Sequence, residues 1–493
     1  MEKYKLGNIA TVEISGVDKK MKDGEKEIHL CNFVDVYYNW AITTAQYDSF
    51  MLATARPNEI SKFQLKKGQV ALTKDSETRD DIGIPTYIGN DFDDVILGYH
   101  CALITPNKNV LDGRYLNALL HTDYAKKYFA CNASGSGQRY ALSAEALNSF
   151  PVPVIPLQEQ KRIGEIFSAL DKKIELNHAI NQNLEAMAKQ LYDYWFVQFD
   201  FPNEEGKPYK SSGGKMVWND KLKREIPSCF DIANMGKLCK FRNGINYSKD
   251  EIGNEYQIVN VRNISSSNIL LDGEDFDTIT IPMSKAENYS LKSDDIIIAR
   301  SGCPGSTRLL LEPSNTLFCG FIICCTPNNS SMRNYLTYCL KQLEGTNATT
   351  SGGSILQNVS QDTLKGLHII VPNKRILEKF NEVIEQVFNR MLNCLKENNN
   401  LIKQRDELLP LLMNGQVSVN SDLTTFLQLL FRQYTIRVYT WAYSHKIKTI
   451  TMMKYNFIRT RLVKIVCGCC GRNFYAEAGI NFCSECEETW NNN

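Results

Sequence analysis

A heptad seam runs from Ile163 to Trp195 and returns later in the same chain. Ile163, Phe167, Leu170, Ile174, Asn177, Asn181, Leu184, Ala188, Leu191 and Trp195 step by four and three. Phe380, Ile384, Val387, Met391, Cys394, Asn398, Leu401, Arg405 and Leu408 do the same, each 217 residues after its counterpart. Such spacing puts one stripe along each helix and predicts coiled-coil packing. Asn181 and Asn398 occupy equivalent seam positions. Two readings of them stand: a buried polar pair that fixes register at some cost in stability, or residues on a frayed, solvated stretch.

The duplication extends upstream of each helix. Ser134-Gly135-Ser136-Gly137, Leu142-Ser143, Leu147 and Val154-Ile155-Pro156 have counterparts in Ser351-Gly352-Gly353-Ser354, Val359-Ser360, Leu364 and Ile370-Val371-Pro372. Leu65–Val70 matches Leu291–Ile296, and Asn32-Phe33-Val34 matches Asn260-Val261-Arg262. The offset drifts from 228 to 217, as loops of unequal length would make it. Each unit reads as short apolar strands, such as Asp295–Ala299 and Phe321–Cys325, between Gly, Asn, Asp and Pro turns. The expected fold is α+β: two tandem domains of short strands and helices, each followed by a long helix. The first helix leads into the second unit, and the second helix starts from it. If the helices pair, they run antiparallel with one unit at each end. The 33 residues from Ile163 to Trp195 give a rod of roughly 50 Å.

At 493 residues the chain is too long for one domain. Its net charge of +1 means that any basic surface is local. No run of 18 apolar residues is present and Met1–Ala10 is polar, which predicts no membrane span and no signal peptide. Eleven of the sixteen cysteines are scattered between Cys31 and Cys394, as reduced thiols of a cytoplasmic protein would be. Catalysis finds little support. There is no phosphate-binding loop, no Asn/Asp-Pro-Pro-aromatic motif and no His-Glu-x-x-His, and the six histidines lack metal spacing. Asp91, Asp93 and Asp94 could imitate a nuclease metal site, but a solvated turn before Val95-Ile96-Leu97 explains them better. Ser134–Gly137 is either a backbone-exposing loop for DNA phosphates or a plain flexible loop.

Particular wording then joins the layout. Pro156-Leu157-Gln158-Glu159-Gln160 opens the first helix, and Leu191-Tyr192-Asp193-Tyr194-Trp195-Phe196-Val197-Gln198-Phe199-Asp200-Phe201-Pro202 closes it. Gly206–Met216 and Arg224-Glu225-Ile226-Pro227 follow. Over about residues 1–415 the chain resembles the specificity subunits of type I restriction–modification systems. It departs where the second helix opens with Pro372-Asn373-Lys374-Arg375, without the Glu-Gln pair, and in the tail beyond Gly415. The resemblance implies target-recognition domains at 1–156 and 227–372, spacer helices at 157–201 and 373–415, and a linker at 202–226. It implies a non-catalytic subunit that reads a split, asymmetric site on double-stranded DNA. It also implies two methyltransferase subunits, which use S-adenosylmethionine, and two restriction subunits, which translocate DNA with ATP. The core needs no cofactor of its own. Two rivals are a single-chain methyltransferase or nuclease, and a structural coiled-coil adaptor with a zinc ribbon.

DNA reading calls for Arg, Lys, Asn and Gln, with aromatics for apolar contact. In the first unit these are Lys19, Lys20, Lys22, Tyr37, Tyr38, Lys74, Arg79, Gln138 and Arg139. In the second they are Arg242, Asn243, Asn246, Tyr247, Arg262, Asn263, Arg300, Gln357 and Asn358. Taken singly, each is better explained as a solvated surface residue; the clusters carry the signal. The extension 416–466 holds a basic, aromatic stretch at 430–465 with no Asp or Glu. It suits either nucleic-acid contact or amphipathic packing. In the tail 467–493, Cys467-x₂-Cys470 and Cys483-x₂-Cys486 stand twelve residues apart, a spacing that suits one tetrahedral structural zinc in a small ribbon. Cys469 is left over.

Overall fold

The computed structural model describes residues 2–135, 137, 139–248, 251–344 and 359–415, and the backbone of 463–466 and 473–476. It divides into two units, Met1–Ser418 and Val419–Asn493. In the second unit, the described strands Val463–Val466 and Asn473–Ala476 pair antiparallel. The four zinc-spaced cysteines, Gln138, Gln357, Asn358 and nearly all of the basic extension lie outside the described residues.

The repeat is present in strand pairing as well as in wording. In the first half, Cys101–Pro106 lies antiparallel between Ala10–Ile14 and Val70–Thr73. In the second half, Ile322–Pro327 lies antiparallel between Cys239–Asn243 and Ile296–Ala299. Beside these sheets, Lys26–Cys31 pairs antiparallel with Met51–Ala55 and parallel with Val95–Leu97. Asn254–Val259 pairs in the same senses with Asp277–Ile281 and Thr316–Phe318. Each half closes with a terminal ribbon, Glu2–Lys5 on Pro151–Val154 and Asp231–Asn234 on His368–Val371. The central strands are buried along their length, which explains why they read as unbroken apolar runs.

The long helices span Leu157–Tyr192 and Lys374–Met413. The first ends in a π-helical turn, Asp193–Val197. The second is capped by Asn373, which accepts from the Ile376 N–H, and stops at Gly415, whose φ is 69°. That left-handed conformation costs glycine little and ends many helices. The helices pack antiparallel: Lys173 pairs with Glu397, Asn181 faces Met391, and Trp195 lies against Phe380. At the far end Tyr192, Trp195 and Phe196 pack with Tyr335, Tyr338 and Phe380. The aromatic wording at the end of the first helix is therefore a plug that joins it to the second half.

Asn177, Asn181 and Asn398 are all buried in the seam, so the solvated reading fails. Asn181 and Asn398 do not bond each other. Asn181 Nδ2 donates to Met391 O at 3.2 Å, and Asn398 Nδ2 donates to Ile174 O at 3.4 Å. These bonds are counterparts, since each residue of the second lies 217 positions from its mate in the first. Asn177 Nδ2 donates to Asn398 Oδ1 at 2.8 Å and to Glu397 Oε2 at 2.9 Å. Toward the end of the second helix the seam opens: Leu401, Arg405 and Leu408 are half-buried, and the Arg405 guanidinium sits 4.6 Å from the centre of the Trp40 ring. Asn398→Ala removes one donor and one acceptor from this layer. It should lower stability by about 1–3 kcal/mol, read as a fall in the urea midpoint with an unchanged slope.

Candidate nucleic-acid interface

In each half, separate segments are tied to one another by matching backbone bonds. Lys74 N–H donates to His100 O and Leu142 N–H to Lys74 O. In the second half Arg300 N–H donates to Phe321 O and Val359 N–H to Arg300 O. Gly98 N–H donates to Cys31 O, just before the Phe33–Tyr38 helix, and Cys319 N–H donates to Val259 O, just before the Val261–Ser266 helix. A Cβ on Gly302 would lie 2.9 Å from Val261, so the loop after Arg300 rests on the start of that helix. Tyr99 N–H donates to Val17 O, which adds the Lys19–Lys22 segment to the first set.

Eight of the nine candidates in the first half lie on or beside this set of contacts, and the ninth, Gln138, lies outside the described residues. Lys19 Nζ lies 5.8 Å from the Tyr99 ring centre, and Tyr99 packs on His100. His100 contacts Asp75, and Arg139 Nη2 lies 2.7 Å from His100 Nδ1. Lys74 Nζ donates to Asp75 at 2.9 Å. Burial pushes the Asp75 carboxyl up, but hydrogen bonds from Lys74 and His100 outweigh it and hold the group below its ordinary range. Arg79 lies over the Tyr140 ring, next to Arg139. Tyr37 donates to Asp81, and burial with that bond pushes its hydroxyl up to about 12. Tyr38 packs edge-on to Tyr37 and is 78% exposed. Lys20 and Lys22 lie along Met51–Ala55, through Thr54.

The second half divides its candidates differently. Arg242 turns inward, where Nη2 donates to Asp295 at 2.8 Å and the guanidinium covers the Phe318 ring. Asn263 is buried, accepting from the Asn260 N–H and donating to Asp275 O. Tyr247 packs against the apolar core, and Asn243 accepts from Gln361. Arg262, Asn246 and Arg300 are exposed, and Arg262 is held by Asp275 and Asp277. Val34, Met51, His100, Asp75, Asp277 and Phe321 also sit on this frame, and reading by residue type did not select them. Phe321 follows Gly320 and stands just before the strand Ile322–Pro327; it is 62% exposed at the counterpart of His100.

The acidic turn at 91–94 is structural: Asp91 accepts from the Lys67 N–H, and Asp94 accepts from Tyr47 and contacts His29. Ser134–Gly135 pairs with Tyr140–Ala141. Among the described residues no cluster could hold a metal ion, and no helix is long and apolar enough to cross a membrane.

The profile of the family described as "Type I restriction modification DNA specificity domain" matches residues 1–186 and 227–404. The chain is 27% identical over 323 residues to the type I restriction enzyme MjaIX specificity subunit of Methanocaldococcus jannaschii, a match covering 64% of this chain and 71% of that protein. It is 27% identical over 409 residues to the type I restriction enzyme HindI specificity subunit of Haemophilus influenzae, covering 72% and 88%. A solved structure of the type-I restriction-modification system S subunit from M. genitalium matches 83% of this chain and 95% of its own, at 15% identity and a TM-score of 0.48.

Proposed function

The chain belongs to the type I restriction modification DNA specificity domain family, and from that premise we propose that each repeat reads one half of a bipartite, asymmetric DNA target. Residues 1–156 and 227–372 serve as the two target-recognition domains. The helices within 157–201 and 373–415 form an antiparallel coiled-coil spacer, with 202–226 as the linker. The protein acts in a complex with two methyltransferase subunits and two restriction subunits, which carry the catalysis. One observation carries the two-reader assignment: the same backbone frame is built twice with different side chains at matching positions. Lys74 and His100 in one frame correspond to Arg300 and Phe321 in the other. A scaffold used once for packing alone would have no need of two such surfaces.

The test is reconstitution. The purified chain alone should show no methyltransferase or nuclease activity. With its methyltransferase partner it should direct adenine methylation to one bipartite motif. Robust S-adenosylmethionine-dependent methylation by the isolated chain would overturn the assignment.

For the tail we propose one zinc held by Cys467, Cys470, Cys483 and Cys486, since four thiolates at that spacing complete a closed tetrahedral site. Metal analysis of the purified chain should give about one zinc per chain. Cys470→Ser or Cys483→Ser should abolish binding, and Cys469→Ser should not. A metal-free wild-type protein would refute the site. Deleting residues beyond Gly415 should leave the recognised motif unchanged.

A further inference from the structure

The two short helices that open beside the strand pairs carry the sharpest chemical difference between the halves. Asn32 stands at the N-cap position of the first and Asn260 at that of the second, 228 residues apart, and each backbone N–H donates to the side chain three residues on, Asp35 and Asn263. Each cap side chain also reaches the neighbouring strand, Asn32 Nδ2 to Met51 Sδ at 3.8 Å and Asn260 Nδ2 to Asp277 Oδ2 at 2.8 Å. Met51 and Asp277 are counterparts, because Met51 pairs with Leu30 and Asp277 with Ile258. Two residues past the cap stand Val34 and Arg262. The frame is the same, but both outward residues are exchanged together. The first half presents Val34 and Met51, 56% and 45% exposed. The second presents an ion pair, with Arg262 Nη2 at 2.7 Å from Asp277 Oδ1.

Neither pair stabilises its own domain much. Two exposed apolar side chains bury little, and an exposed ion pair contributes little. In the first half exposed Tyr38 stands one helical turn beyond Val34, and the Lys20–Lys22 segment runs beside the strand Met51–Ala55 that carries Met51. Exposed apolar groups beside positive charge fit a polyanion that also presents apolar edges, as the major groove of DNA does with the thymine methyl group. In the second half, Asp277 holds the Nε and Nη2 edge of Arg262, while Asp275 accepts from Nη2 through its backbone O at 3.1 Å and from Nη1 through Oδ1 at 3.5 Å. The Asp277 ion pair holds the guanidinium in a fixed plane, and a partner that displaces Asp275 would meet the Nη1 and Nη2 donors together. Guanine O6 and N7 take such a pair of donors.

We propose that positions 34 and 51 in the first half, and 262 and 277 in the second, are specificity-determining pairs that read base edges. Val34 and Met51 contact a thymine methyl. Arg262 donates to a guanine, which takes over its Asp275 contacts while Asp277 keeps hold. This rests on the reading of the chain as a DNA-recognition subunit and adds which residues read and what they read.

The experiment uses the complex with the methyltransferase subunit, its methylated motif, and competition binding by duplexes varied one position at a time. Arg262→Val with Asp277→Met should abolish the preference for guanine at one position of the second half-site. Methylation at wild-type sites should fall about tenfold to a hundredfold, with the first half-site intact. Val34→Arg with Met51→Asp should change one thymine position of the first half-site only. Asp277→Asn, which keeps shape and removes the brace, should lower the guanine preference without loss of fold, and it stands in if the double variant does not assemble. Unchanged preferences at every position, or an equal weakening for all bases, would overturn the proposal while the family function stands. A wild-type complex without any bipartite motif would instead remove the premise.

Discussion

Replacing residues 1–155 with the equivalent segment of a relative should change one half of the recognised site and leave the other half as it was. The first half has a core of its own, built on Ile28, Leu30, Ala53, Ala71, Ile96 and Leu103. The second half builds separate cores, one of which also takes in the ends of the long helices. The exchange must keep the contacts by which the first half grips its helix. Gln160 Nε2 donates to Val110 O and Ile155 O, and Gln160 Oε1 accepts from the Asp112 N–H. Trp40 must stay against Phe167 and Arg405. With those retained, sequencing of methylated DNA from cells carrying the exchanged protein should show a new first half-site beside the old second one. A change in both halves would show that the readers are not independent.

Lengthening both helices by one heptad should widen the unspecified gap between the half-sites without altering them. Seven residues restore the seam and add roughly 10 Å, about three base pairs. The insertions must face each other. Asn181 faces Met391 and Asn398 faces Ile174, so an insertion after Leu184 is matched by one after Val387. This keeps Asn177, Asn181 and Asn398 in their bonds. The gap should grow by up to three pairs, because DNA twists and bends to meet a protein. Inserting two residues in each helix instead should break the seam and reduce assembly. An active enzyme with an unchanged gap would show that the helices do not set the distance.

The seam, the repeat and the strand runs were legible because periodicity is written locally. What the seam positions face was not. The repeat identifies Asn398 as the counterpart of Asn181, yet antiparallel packing sets Asn398 against Asn177 and Ile174. A linear offset gives equivalence, and only the direction of the helices gives contact. At the interface, residue type alone could not separate Arg242, drawn in by Asp295 from 53 residues away, from Arg262, which stays exposed. Asn263 could have been set aside, since Asn260-x-x-Asn263 before an apolar residue is the pattern of a helix cap. Val34 and Met51 were invisible to a search for donors and charges. Their meaning lies in a shared frame whose two copies differ.

The central claim, that this chain chooses the DNA sequence its complex modifies, is tested most directly by methylome sequencing. A host without endogenous adenine methylation would carry the methyltransferase partner with or without this chain. The expected result is one bipartite motif, methylated on adenine in both halves, present only when the chain is expressed. The same motif without the chain, or methylation at no defined sequence with a folded, co-purifying complex, would contradict it.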